Sequence, residues 1–82
     1  MTAKADAIRA IYVAVQAPAW AAANLDALAD VLRDLSWLPE GPVRVTWHPP
    51  KSLPRGDRES IERILARAVG ESLDTDHPIE LD

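Results

Sequence analysis

Asp26, Asp30 and Asp34 recur at i, i+4 and i+8, the spacing that stacks side chains in one column along a helix. Like charges so placed destabilise an isolated helix by roughly 0.2–0.5 kcal/mol per pair. Asp26 recovers something from the positive end of the helix dipole. Asp34, near the other end, does not. Arg33 is the only cation on this helix and is expected to relieve Asp30 or Asp34. Two readings fit the column. It is a solvated face in an acidic chain, or it is a surface that a basic partner neutralises, which gives fast, salt-sensitive association. Trp20, a few residues upstream, either fills the core or anchors such a contact.

Other chemistry is hard to assemble. His48 and His77 lie far apart in the chain, and nothing in their spacing asks for a metal. Asp74 and Asp76 read as loop residues rather than an acid–base pair. Gly41, Gly56 and Gly70 are scattered and make no phosphate-binding loop, and no serine sits in a nucleophile-elbow context. With no cysteine, thiolate chemistry and Cys-based zinc sites are absent. The chain reads as non-catalytic, with no cofactor, no metal and no catalytic residues.

The elements that must position the aspartates follow from periodicity. Ile8, Ile11, Tyr12 and Val15 predict an amphipathic helix over residues 5–17, ending before Pro18. After a connector from Ala19 to Ala23, Asn24 is placed to cap a second helix with Leu25, Leu28, Val31, Leu32 and Leu35 on its apolar face. These two helices are joined too closely for a strand between them and predict a hairpin or sharp corner packed on the sheet. Val43, Val45 and Trp47 alternate with Arg44, Thr46 and His48 as a half-buried strand does. His48 to Gly56 carries three prolines and reads as a loop. Asp57 is the predicted cap of a third helix through Ile61, Ile64, Leu65 and Ala68, with Gly70 as its stop. A short strand from Pro78 to Leu81 closes the chain, and a crossover of this length implies a parallel pair.

The totals agree with a small binding module. At 82 residues, folding buries little more than roughly 60% of the unfolded surface, which leaves little room for a deep catalytic pocket. A net charge of −4 argues against nucleic acid as a direct partner, because phosphates call for clustered Lys and Arg. No stretch approaches the length of a membrane span or has the form of a signal peptide. The expectation is a cytoplasmic protein with no membrane partner.

The run from Pro18 and Trp20 through Asn24-Leu25-Asp26-Ala27-Leu28-Ala29-Asp30-Val31-Leu32 resembles the signature segment of the barstar family, intracellular inhibitors of the bacterial ribonuclease barnase. That segment reads Pro, an aromatic, then Asn-Leu-Asp-Ala-Leu, any residue, Asp, any residue, Leu. The order of elements agrees over residues 5–82. The resemblance implies an α/β fold with about three helices packed on a parallel sheet of two or three strands, as one domain over residues 1–82. It also implies an immunity-type protein that plugs the active site of a basic ribonuclease or nuclease toxin, its acidic side chains standing in for substrate phosphates. The barnase–barstar pair is itself the standard example of charge-steered association. Asp30 matches the family's foremost acidic contact and Asp26 a second. Trp20 sits where the family has a tyrosine contact, and Asn24 and Ala29 belong to the same partner-binding stretch. Ala21 and Ala22 replace an aromatic–Gly pair, Ala29 replaces a Trp, and Arg67 falls near an acidic contact of the third helix. The family's opening strand is missing, since only Met1 to Lys4 precede the first helix. That leaves either a two-stranded sheet or an edge open to a partner or a second copy. The second reading is therefore a non-inhibitory interaction or regulatory domain, as a homodimer.

Overall fold

The computed structural model describes residues 2–82. Its elements in chain order are α1 (Ala3–Val15), α2 (Leu25–Asp34), β1 (Val43–Val45), α3 (Arg55–Ser72) and β2 (Ile79–Leu81). This is the α/β arrangement of three helices and a small parallel sheet that the sequence predicts, with two strands.

The strands pair in parallel, Val43 beside Ile79, Arg44 beside Glu80 and Val45 beside Leu81. Alternation puts Val43, Val45 and Ile79 on the buried face. Arg44 and Glu80 meet on the other face at 3.9 Å, an exposed pair that contributes little. The Val43 N–H donates to Pro78 and the Asp82 N–H to Val45. The backbone groups of Arg44 therefore point to the opposite edge, where β1 has no strand beside it among the described residues. The predicted strand to His48 is cut short at Val45, as the chain turns toward Pro49 and Pro50.

α1 and α3 cover the buried face, while α2, expected on the sheet as well, packs on α3 instead. α1 rests against β1, and α3 packs on β2 and on α2. The first two helices thus form a corner rather than a hairpin, and the main neighbour of α2 is α3. One core runs through Ile8, Ile11, Leu28, Leu35, Ile61 and Leu65, all essentially inaccessible.

Four predicted helix boundaries are corrected. α1 starts at Ala3 because the Thr2 hydroxyl accepts from the Ala5 N–H at 3.1 Å. It stops at Val15 because Gln16 adopts a left-handed conformation with φ 53°. α3 starts at Arg55, with Pro54 in the cap position instead of Asp57. Proline loses nothing there, since the first N–H groups of a helix have no intrahelical partner, and Asp57 instead favours the dipole from the first turn. Nor does α3 stop at Gly70. That glycine faces open space, so it weakens the helix by about 1 kcal/mol without blocking it. The turn beyond is held by Ser72, whose hydroxyl donates to Val69 and accepts from the Ile79 N–H at 2.8 Å. Gly41 has φ 138°, a conformation that only glycine adopts easily. Its N–H donates to Asp76 at 2.8 Å, leading into β1.

Candidate functional site

The site begins with the helix start that the sequence predicts. The Asn24 side-chain oxygen accepts from the Ala27 N–H at 2.8 Å, so the role of Asn24 is to cap α2. From there Leu28, Val31, Leu32 and Leu35 are buried. At about 100° per residue, Asp26, Asp30 and Asp34 fall on the opposite side, and all three are exposed. Successive members of the column are about 6 Å apart along the axis.

No described cation neutralises them. Among the described residues no ion pair involves Asp26, Asp30 or Asp34. The expectation that Arg33 relieves Asp30 or Asp34 is corrected. Arg33 reaches across to Glu71 of α3 at 3.8 Å, and Arg67 meets the other oxygen of the same carboxylate at 3.8 Å. The reason lies in packing: α2 runs along α3, and Arg33 projects on that side of the column. Ala29 lies on the same side. With Ile64, Arg67 and Ala68 it lines a shallow hollow of about 70 Å³.

The three tryptophans divide sharply. Trp37 and Trp47 are partly buried. The Trp37 ring N–H donates to the Val15 carbonyl at 3.1 Å and that of Trp47 to Glu62 at 2.9 Å. Trp20 is 71% exposed. It does not fill the core. It stands in the segment between α1 and α2, which folds as two short turns, the Ala21 N–H donating to Pro18 and the Asn24 N–H to Ala22, each at 3.0 Å.

One residue of this region was not among the sequence candidates. Tyr12, buried in α1, donates its hydroxyl to the Ala22 carbonyl at 2.7 Å. Burial, and then the Asp30 carboxylate, push its phenol above the ordinary 10.0, so it remains a donor. The signal available in the sequence was the residue type: a tyrosine on an apolar helix face needs a partner for its hydroxyl.

The remaining candidates are not brought together. His77 points its Nε2 at the Leu38 carbonyl, 2.9 Å away, while His48 is exposed at the other end of β1. Asp74 and Asp76 lie in the exposed turn before β2. Among the described residues no group of three or more His, Asp or Glu side chains is placed to hold a metal ion. Among the described residues no helix is long and apolar enough to cross a membrane. What the arrangement offers is a contact surface: exposed carboxylates, an exposed indole and a floor of small side chains.

A family model described as Barstar (barnase inhibitor) matches residues 1–82, the whole chain. Comparisons with curated proteins and with solved structures give no match.

Proposed function

We propose, from the premise that this chain belongs to the barstar family, that it is a non-catalytic inhibitor that binds a basic ribonuclease and covers its active site with the outward face of α2. Asp30 is the principal contact, Asp26 the second and Trp20 the aromatic anchor. Asn24 holds the helix start, and Ala29 lies at the border of the surface. The single observation that carries this reading is the exposed aspartate column, which no cation among the described residues neutralises. A ribonuclease active site is built to hold phosphates with cationic side chains, and carboxylates at one-turn spacing are complementary to such a cleft.

The test uses barnase as the probe nuclease, with inhibition of RNA cleavage and the association rate measured over a range of NaCl concentrations. The expected result is a 1:1 complex whose association slows steeply with salt. Inhibition by the Asp30→Ala/Asp26→Ala double variant equal to that of the parent chain would sink the proposal.

One observation favours a second reading. Between α1 and the segment that leaves β1 runs a mainly apolar groove of about 550 Å³, lined by Ala10, Val13, Ala14 and Trp47 with Asp6 and His48 at its margins, and Val13 is 79% exposed. A second copy that lays its own edge strand there makes a homodimer. Sedimentation distinguishes the two: a monomer at high concentration removes this reading and leaves the first untouched.

A further inference from the structure

We propose that the Tyr12 hydroxyl is a positioning group for the binding surface, fixing the 18–24 segment, and Trp20 within it, against the face of α2 that carries Asp30. The inference rests on the reading of that face as the inhibitory surface.

The segment carrying Trp20 is weakly held by its own turns. Its internal hydrogen bonds, Ala21 to Pro18 and Asn24 to Ala22, close short loops; Ala21 and Ala23 rest on the core and Asn24 caps α2, but none of these contacts ties the segment to α1 by a hydrogen bond. Among the described residues the one side-chain hydrogen bond that reaches it from another element comes from Tyr12, at 2.7 Å. The Ala22 carbonyl thereby receives two donors, the Tyr12 hydroxyl and the Asn24 N–H. Asn24 is also the cap of α2. One carbonyl thus ties together α1, the Trp20 segment and the start of the acidic helix.

The core does not need this hydroxyl. The Tyr12 ring lies among Ile8, Ile11 and Val15 on the buried side of α1, where a phenylalanine fills the same space. The oxygen adds only the bond to Ala22, and it lies close enough to Asp30 for that carboxylate to oppose its ionisation. A buried donor has to find an acceptor. Here the acceptor is in the segment whose placement decides where the exposed indole stands.

The variant is Tyr12→Phe, compared with the parent chain by amide hydrogen exchange read by NMR. The Ala21 and Asn24 amides should exchange about five- to tenfold faster, the effect of one lost hydrogen bond of ordinary strength, while the Val31 and Leu65 amides keep their rates. Unchanged rates at Ala21 and Asn24 overturn the proposal. So does a uniform acceleration of every amide, which marks a general contribution to stability. With barnase as the partner, Tyr12→Phe should raise the dissociation rate several-fold and leave association unchanged, because no charge is altered. The dissociation effect should vanish in a Trp20→Ala background; its persistence there overturns the link to Trp20. If barnase binding ignores Asp30→Ala, the inhibitor reading fails while the exchange experiment still decides the role of Tyr12.

Discussion

The outward faces of α2 and α3 are both charged, and they are organised in opposite ways. On α3 charges of both signs alternate and several are partnered: Arg55 meets Glu59 at 3.2 Å, Arg67 meets Glu71 at 3.8 Å, and Glu62 accepts from Trp47. On α2 three carboxylates stand in a column, and its one arginine turns away to Glu71. The α3 face carries both signs, so most of its charge is balanced within the helix. The α2 face becomes neutral only when something else supplies the positive charge. Like-charge repulsion on a surface helix slightly destabilises the fold, a cost that the mixed α3 face avoids and that the proposed role of the α2 face as a contact surface would explain.

This contrast can be broken at several points. The largest effect is expected from Asp30→Ala, which should weaken binding to barnase by about 2–5 kcal/mol, the usual consequence of removing one member of a desolvated charge pair, read from inhibition titrations. Trp20→Ala should follow at about 2 kcal/mol, with a melting temperature close to that of the parent because the ring is exposed. Asp30→Asn should raise fold stability by about 0.5 kcal/mol in urea titrations, since it relieves repulsion from Asp26 and Asp34. A variant that binds worse and folds better is the signature of a contact face. Glu71→Ala should lower stability by no more than about 0.5 kcal/mol, because its pairs are half exposed. A loss of several kcal/mol there would erase the distinction between the two faces. The smallest effect is alkaline. The phenol of Tyr12 is raised in the folded state by burial and by Asp30, so the unfolded chain releases its proton first. Stability should therefore decline as pH climbs from 10.0 through the folded value. Asp30→Asn should move the ultraviolet titration of Tyr12, the chain's only tyrosine, toward 10.0.

What was legible in the sequence was what depends on local period and local chemistry. The α2 cap at Asn24, its buried leucine face and its outward aspartates follow from spacing, and so does the parallel pairing implied by the crossover. Three things were not legible because they depend on which elements meet. Arg33 has a carboxylate within reach on its own helix, and only the packing of α2 on α3 directs it to Glu71 instead. Trp20 is of a type that fills cores and anchors interfaces alike, and the corner between α1 and α2 decides that it stays outside. The limits of α3 were misread for a related reason. Gly56 and Gly70 are local breakers, but Pro54 in the cap position starts the helix ahead of the first, and at the other end the hydroxyl of Ser72 links the helix to the following strand beyond the second.

That link has a kinetic side. Val43 and Ile79 are neighbours in the sheet, yet nearly half the chain lies between them, and closing so long a loop is slow. α3 occupies 18 residues of that interval and, once formed, spans roughly 27 Å as a rigid rod. Its final turn then presents Ser72 to the Ile79 N–H, so the helix delivers the last strand to its partner. The expected order of assembly is α3 first, then the sheet with its two three-residue strands, which φ-values near one at Leu65 and near zero at Val45 would bear out.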